Sequence, residues 1–383
     1  MTLMQAATGS EREQALVAEA AAVGEVLAAN AARHDAEGSW VEEGYGAVRD
    51  AGLLRIAVPE ELGGRGATIR EVAMVQRELA HHCASTALAS AMHQHVCTFQ
   101  AWRYRRGMPG AEAVLRRIAE EGIVLVSTGG ADFTKPRGTA TKVDGGYRVS
   151  GQKIFGSQSV VGDVLATMFP FDDPEQGKRV LNMSIPTADP GVTVLDNWDT
   201  MGMRGTASND IVIEDVFVPE ERVAANRPWG VVDPPLQVIA SIAISIVTAV
   251  YLGLAEATRD HAVKAAAAKA TDPGIQRQIG LMETGLRVAG WAMDGAFATV
   301  GDDPDPSMEN VAAVMAAKRA VTDVGLQVCD LAIEVAGGAA YFKGSPIERA
   351  YRDMRGVKFH PFQPEAILLH AGRLALGQPC DDI

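Results

Sequence analysis

The first 121 residues carry apolar side chains at the three- and four-residue spacing that predicts amphipathic helices. Alanine-rich stretches of this kind cover residues 12–33, 68–82 and 111–121. Pro59, Gly63–Gly64 and Pro109–Gly110 interrupt them, as expected of the loops between helices. The pattern predicts an N-terminal helical domain over residues 1–121.

The periodicity changes at residue 122. Residues 139–143 and 147–150 alternate apolar and polar positions around an Asp-Gly-Gly turn, which predicts a β-hairpin. Further strands are predicted for three apolar runs: 123–126, 180–185 and 211–213. We therefore expect a central β domain over residues 122–227.

Helical spacing returns after the proline-rich break at residues 228–235. Apolar positions between Val314 and Val335 follow the alternation of a bundle helix, with Ser307 as its expected N-cap and Gly337–Gly338 as its end. This predicts a C-terminal helical bundle over residues 228–383. Helices, then strands, then helices make an α+β fold.

One uncharged segment, residues 238–255, is long enough to span a bilayer. Ser241, Ser245 and Thr248 put hydroxyl groups on one face of it, and no basic flank or aromatic belt borders it. We expect a buried bundle helix and no membrane association.

Composition narrows the class of protein. A formal net charge of −13 argues against a nucleic-acid partner. The four cysteines are scattered without metal or redox spacing, and the start of the chain lacks the pattern of a secretion signal, so we expect a cytoplasmic protein. His93 and His95 are two residues apart on a predicted helix and cannot share a face, so we expect no metal site there.

Several segments, in order over nearly the whole chain, resemble the acyl-CoA dehydrogenase superfamily. They are Gly52–Gly66, Gly151–Ser157, Gly202–Ser208, Glu214–Pro219, Ala336–Tyr341 and Pro346–Asp353. The resemblance implies an N-terminal helical domain, a central β-barrel-like domain and a C-terminal four-helix bundle. It also implies a flavin cofactor, a small-molecule substrate and a homodimer or homotetramer.

In that family the flavin lies between the β domain and the bundle. Carried over to this sequence, its contacts fall on Val126, Ser127, Thr128, Phe155 and Ser157. Gly337 and Gly338 resemble the pair that approaches the flavin of a neighbouring subunit. A plainer interpretation is that the hydroxyl residues only end strands and that the two glycines only end a helix.

The chain departs from the dehydrogenases at their catalytic carboxylate. Pro361 occupies the commonest position of that base, Ile239 occupies the second known one, and His360 stands beside Pro361. This is similar to the flavin-dependent monooxygenases of the same fold, such as dibenzothiophene monooxygenase, which take reduced flavin from a separate reductase. We therefore predict His360, and His93 from the helical domain, as catalytic residues. His360 could instead only cap the turn before Pro361.

A second departure concerns the cofactor tail. Where the family often has Arg-x-x-Phe-Gly, this chain runs from Lys264 to Gly274 without that motif, and Glu334 replaces a glutamine near the expected pyrophosphate. Both changes weaken diphosphate binding, so we expect FAD with FMN possible.

Three functions follow from these features. The first is a monooxygenase using reduced flavin and O₂ on a small organic substrate. The alternative is a dehydrogenase of CoA or carrier-protein thioesters with an atypical base, and the third is a non-catalytic member of the family.

Overall fold

A computed structural model of the protein describes residues 9–128, 130 and 133–382. The N-terminal part is helical and contains α1 (Glu11–Glu37), α2 (Glu42–Asp50), α3 (Ile69–His82), α4 (Ala84–Arg105) and α5 (Ala111–Glu120). Helix α3 begins with a capping box, in which the Thr68 side chain accepts from the Glu71 amide and the Glu71 side chain accepts from the Thr68 amide. These bonds satisfy amide groups that the first turn of a helix otherwise leaves unpaired.

Strands follow after Glu120. They are β1 (Leu125–Ser127), β2 (Thr139–Val143), β3 (Gly146–Gly156), β4 (Val164–Asp173), β5 (Gly177–Pro186), β6 (Val192–Val194), β7 (Asn209–Pro219) and β8 (Val223–Pro228). In the described part of the chain they form two four-stranded sheets, ordered β1-β4-β5-β8 and β2-β3-β7-β6. The predicted hairpin is confirmed as β2–β3, and its turn uses Gly145 at φ +76°. Strand β1 pairs in parallel with β4.

The remaining elements are again helices: α6 (Pro234–Ala265), α7 (Pro273–Val300), α8 (Met308–Ala336), α9 (Pro346–Met354) and α10 (Pro364–Ala375). The predicted cap of α8 is confirmed, since the Ser307 hydroxyl accepts from the Glu309 amide and Gly337 ends the helix at φ +69°. The α+β class is confirmed. The division into domains at residues 121 and 227 stays a prediction, although the elements change type close to both positions.

Helix α6 is the centre of the molecule and packs against α3, α4, α7 and α8. By length and composition both α1 and α6 could cross a membrane, but 89% of the apolar window of α6 is buried inside the protein. Its apolar character therefore serves the core, as expected for a helix packed on all sides.

Candidate functional site

The first wall of the site is the end of β1. Val126 is buried in the sheet, and Ser127 lies partly exposed at the last position of the strand. The Thr128 amide continues the parallel pairing by donating to Ala166 O at 3.1 Å, and its hydroxyl donates to Thr167 Oγ1 at 2.7 Å. The Thr128 side chain is therefore bound to the sheet, which leaves Ser127 as the more accessible hydroxyl of this edge.

The loop after β3 forms the second wall. Phe155 is 48% exposed, and its ring meets Trp198 edge to face with 5.5 Å between centroids. Ser157 is buried, and its Oγ lies 2.7 Å from Ser208 Oγ, which is itself 2.7 Å from Thr206 Oγ1. An exposed aromatic face thus stands beside a chain of hydroxyl groups.

A buried glutamine holds these two walls together. Gln158 adopts a left-handed conformation at φ +56°, and its side-chain amide donates to Leu125 O at 2.9 Å. Its Oε1 accepts from the Tyr45 hydroxyl at 2.6 Å. Neither Gln158 nor Tyr45 could be predicted from the sequence as part of the site, because neither residue type carries a catalytic signature.

His93 does not face an open pocket. Its Nε2–H donates to Leu54 O at 2.9 Å, and its Nδ1 accepts from the Leu125 amide at 3.0 Å. Burial lowers the pKa of His93 to about 4, so the ring is neutral. Both ring nitrogens are used to fasten α4 to β1 and to the loop after α2. Neither ring nitrogen of His93 is left for a substrate in this structure, and a catalytic role for His93 stays a prediction.

His95 points elsewhere, because it lies two positions on along the same helix. It is buried, and its Nδ1–H donates to Ala91 O at 3.1 Å within α4. A proton on His95 would lower the pKa of His360, after the larger effects of burial and of Lys318. Of the two histidines of α4, His95 is therefore the one with an electrostatic effect on His360.

His360 lies in the loop between α9 and α10. Its Nε2 is 2.9 Å from the hydroxyl oxygen of Tyr251 on α6. Lys318 on α8 donates from Nζ to the His360 carbonyl at 2.6 Å and also to the Phe362 carbonyl. The ring of Phe362 meets Phe133 edge to face, with centroids 5.3 Å apart. Both helices and the segment after β1 therefore hold this loop.

The electrostatics around His360 favour its neutral form. Burial, followed by the charges of Lys318 and His95, lowers its pKa to about 3. Burial also lowers the pKa of Lys318 to about 7 and raises that of Tyr251 well above its usual range. Among the described residues, no carboxylate contributes to the pKa of His360. The group is a neutral hydrogen-bonding partner and not a strong base.

The positions of the absent base contain no acid. A Cβ placed on Gly130 would lie 3.6 Å from Pro361 Cδ, so Pro361 contacts the segment that follows β1. Glu256 is buried on α6 and pairs with Arg77 of α3. Asp353 is buried, accepts from the Met203 amide, and has a pKa raised by burial to about 6. The pKa of Tyr251 is raised by burial and, to a smaller extent, by the charge of Asp353.

The residues predicted near the cofactor tail lie at the end of α8, far along that helix from Lys318. Glu334 is exposed near the end of α8 and accepts from the Gln278 side-chain amide at 2.7 Å. At 1.5 Å per residue, α8 separates Lys318 from Gly337 by about 28 Å. Open space surrounds Gly337 and Gly338, where added Cβ atoms would meet nothing within 4 Å. Within one chain, the Gly337–Gly338 pair therefore lies far from the His360 loop, to which Lys318 binds.

Sequence patterns contained weak signals for the residues that were missed. Tyr251 interrupts the aliphatic run of residues 238–255, and Lys318 stands on the apolar seam of α8 between Val314 and Val321. A polar side chain at such a position is buried only when it has a partner.

The walls suit a flat aromatic cofactor. Phe155 and Trp198 present apolar ring surface, while Ser127 and Ser157 place hydroxyl groups beside it. The isoalloxazine of a flavin combines a flat apolar surface with polar edge atoms, so the donor set fits it.

Comparison with known proteins agrees with this geometry. Residues 10–126, 127–216 and 245–364 match the families described as acyl-CoA dehydrogenase N-terminal, middle and C-terminal domain. Putative acyl-CoA dehydrogenase YdbM of Bacillus subtilis is 28% identical over 362 residues, covering 88% of this chain and 90% of that protein. Isobutylamine N-hydroxylase of Streptomyces viridifaciens is 30% identical over 347 residues, covering 85% and 86%.

A crystal structure of KijD3, in complex with FMN and dTDP-3-amino-2,3,6-trideoxy-4-keto-3-methyl-D-glucose, superposes with a TM-score of 0.85. The two sequences are 27% identical, and the match covers 98% of this chain and 97% of KijD3. Hydroxylases and a dehydrogenase thus stand together among the relatives. The three matched domains establish that this chain is a flavin-dependent oxidoreductase of the acyl-CoA dehydrogenase superfamily.

Proposed function

We propose that this chain is a flavin-dependent monooxygenase that uses reduced flavin and O₂ to oxidise the nitrogen atom of a small amine. The single observation that carries the proposal is the loop at residues 360–362. Pro361 stands where a dehydrogenase needs a carboxylate to remove a proton beside a thioester, and the residue next to it is a neutral histidine, His360, hydrogen-bonded to Tyr251. The amine specificity draws on the N-hydroxylase and on the amino sugar bound by KijD3.

The cofactor would lie against Phe155, with the hydroxyls of Ser127 and Ser157 at its edge. Bound reduced flavin supplies the two electrons that activate O₂. The cofactor is FAD or FMN. The exposed anion Glu334 and the absence of the arginine motif favour a flavin without an adenylate tail, or FAD that exchanges with solution.

The role of His360 follows from its neutral state. In N-hydroxylation an amine, O₂, two electrons and two protons give a hydroxylamine and water. The amine must react in its unprotonated form, because a protonated nitrogen has no free electron pair. The loop of His360 is bound by a buried ammonium that no carboxylate among the described residues pairs with, and such a site admits the neutral amine. His360 and Tyr251 can then pass a proton through their shared hydrogen bond.

We also propose that the protein works as a cytoplasmic homo-oligomer supplied by a separate flavin reductase. Tyr341 and Phe342 follow Gly337–Gly338 and are 84% and 73% exposed, which is unusual for aromatic side chains in a free surface. Trp291 on α7 is also largely exposed. A second subunit covering these rings would bring its flavin to the glycine pair of the first. Three of the four cysteines are buried free thiols, as in proteins of a reducing compartment.

The decisive experiment supplies the protein with a flavin reductase, NADH, FMN or FAD, O₂ and a panel of amines. We expect a hydroxylamine or its further oxidation product, with one O₂ consumed per oxygen atom transferred. Omission of the reductase with chemically reduced flavin present should leave the reaction intact. Consumption of O₂ without oxidised product for every amine, sulfide and aromatic substrate tested would contradict the proposal.

Thioester dehydrogenation is the second candidate, because Asp353 is a buried carboxyl whose pKa burial raises to about 6 and whose charge acts on Tyr251. Anaerobic bleaching of bound oxidised flavin by acyl thioesters would favour it over oxygenation. A non-catalytic role predicts instead that added flavin neither binds nor raises the melting temperature.

A further inference from the structure

A buried lysine contacts the loop that carries His360. Lys318 is only 2% exposed, and its Nζ donates to the carbonyl oxygens of His360 and Phe362. Among the described residues, no carboxylate forms an ion pair with it. Its hydrogen bonds in this part of the structure are made to the backbone of one loop.

Burying the Lys318 ammonium costs free energy, so we expect the residue to have a specific role. An ammonium loses most of its hydration when it is buried, and two carbonyl acceptors return only part of that loss. A leucine or methionine on the seam of α8 would pack without this penalty. The carbonyls of His360 and Phe362, however, would then lack these donors, since the loop is neither helix nor strand.

The loop is held on three sides. Lys318 of α8 binds its backbone, Tyr251 of α6 binds the His360 ring at 2.9 Å, and Phe133 packs against Phe362. The first two contacts act on the same residue from opposite ends, one at its carbonyl and the other at its imidazole. With its backbone fixed by Lys318, the ring of His360 can reach the Tyr251 hydroxyl in only a narrow range of orientations.

We propose that Lys318 is a positioning residue, whose ammonium fixes the His360–Phe362 turn so that the imidazole of His360 is aligned with Tyr251 at the reacting end of the site. This inference rests on the proposed oxygenase function. Lys318 acts through His360 and is not itself a catalytic residue. Its role is to keep oxygen transfer to the substrate faster than the release of hydrogen peroxide to solution.

The test compares Lys318→Met, which keeps the length and loses every donor, with Lys318→Arg, which keeps a charged donor. Thr322→Val is the matched control, because Thr322 lies one turn further along α8, is equally buried, and donates only to the Lys318 carbonyl of its own helix. Product formed per O₂ consumed is measured with a separate reductase. A misplacement of about 1 Å costs on the order of 100-fold in rate, so we expect a fall of that order in K318M.

Flavin affinity in K318M should stay within a few-fold of wild type, and K318R should recover much of the product yield. Hydrogen exchange of the backbone amides at residues 355–363 gives a readout that needs no substrate. We expect faster exchange there in K318M and unchanged exchange in T322V. If K318M does not fold, Lys318→Gln, which removes the charge and shortens the reach of the donor, replaces it, and we expect changes in the same direction.

The outcomes are separable. Unchanged exchange, or faster exchange with wild-type product yield, overturns the positioning role of Lys318. Faster exchange in K318M combined with no oxygenated product from the wild type contradicts the proposed function and leaves only the anchoring of the loop. Faster exchange together with lost yield that K318R restores supports the inference.

Discussion

The hydroxyl oxygen of Tyr251 lies 2.9 Å from His360 Nε2, and this hydrogen bond joins the central helix of the fold to the loop that replaces a catalytic acid. Tyrosine on α6 is buried completely, so its hydroxyl needs a partner inside the protein. The hydrogen bond between Tyr251 and His360 therefore has two effects: it satisfies the buried hydroxyl, and it orients the imidazole.

Replacing Tyr251 by phenylalanine removes that bond while keeping the ring. We expect the rate of product formation to fall by about 10- to 100-fold, because a positioned proton-transfer partner contributes on that scale. Hydrogen peroxide should appear in place of product, and flavin binding should be retained. The Tyr147→Phe variant removes the hydroxyl of a half-buried tyrosine on β3 and serves as the control. Equal product yields in Y251F and wild type would exclude Tyr251 from the chemistry.

Substitutions of the two histidines of α4 should have different effects: loss of His93 should lower stability, and loss of His95 should lower activity. Replacing His93 by alanine leaves Leu54 O and the Leu125 amide without their hydrogen-bond partner. We expect a loss on the order of 2–4 kcal/mol in the free energy of unfolding. Replacing His95 by alanine should instead lower product yield with a smaller change in stability. Chemical denaturation and coupled oxygen uptake measure the two effects. A His93→Ala enzyme of wild-type stability would show that the fastening of α4 to β1 is not required.

The sign of the pH dependence for His93 follows from its lowered pKa. The unfolded histidine, near pH 6.5, binds a proton more readily than the folded one, whose pKa is about 4. Its stabilising contribution is therefore complete above pH 6.5 and is lost as the pH falls towards 4. H93A should lose stability less steeply than wild type over this range.

The sequence predicted the order of elements because each segment carried its own periodicity. The β2–β3 hairpin and the Ser307 cap were readable for that reason. The partners of His360 could not be predicted from the sequence, because Tyr251 and Lys318 lie 109 and 42 residues away along the chain. Tertiary packing alone brings them together, and neither lies in a segment whose spacing indicates a site.

The choice between His93 and His95 shows the same limit. Helical spacing predicts that only one of them faces a given side, but it does not say which side is the pocket. That depends on where β1 and the loop after α2 meet α4, which is a long-range contact. The sequence therefore supplied two candidate histidines but did not indicate which of them the fold turns towards the His360 loop.

A buried charge cluster between α3 and α6 should govern stability at both ends of the pH range. Burial alone would raise the pKa of Glu256, but Arg77 and His81 lower it to about 2. Burial alone would lower the pKa of His81, but Glu256 and Glu78 raise it to about 9. The Glu256 contribution is present above about pH 4.5 and is lost as the pH falls towards 2. The His81 contribution is present below about pH 6.5 and is lost as the pH rises towards 9.

The variant His81→Gln should therefore flatten the decline in unfolding free energy between pH 6.5 and 9, compared with wild type. Arg77→Met should cost about 3–5 kcal/mol at neutral pH, because it leaves the buried Glu256 carboxylate with His81 as its one remaining partner among the described residues. Denaturant titrations at several pH values measure both effects. Identical slopes for H81Q and wild type in the alkaline range would refute the assignment of this dependence to His81.

Glu334 should determine the preference between the two flavins. If the pyrophosphate of FAD lies near this carboxylate, repulsion weakens FAD binding and leaves FMN less affected. The Glu334→Gln variant keeps the size of the side chain and removes its charge. We expect FAD to bind about threefold more tightly at low salt, with the gain fading at high salt because exposed charges are screened over about 10 Å at 0.1 M salt.

The matched control for Glu334 is Glu309→Gln, which removes an exposed carboxylate from the same helix, about 38 Å away along α8. Fluorescence titration with FAD and with FMN measures the four affinities. A common gain for both flavins in E334Q would indicate a general effect of net charge, and so would a gain in E309Q. A gain for FAD alone in E334Q locates the adenylate side of the cofactor at the end of α8, some 28 Å from Lys318. Because one flavin spans such a distance from the His360 loop only with difficulty, that result would assign the carboxylate to the cofactor of a neighbouring subunit.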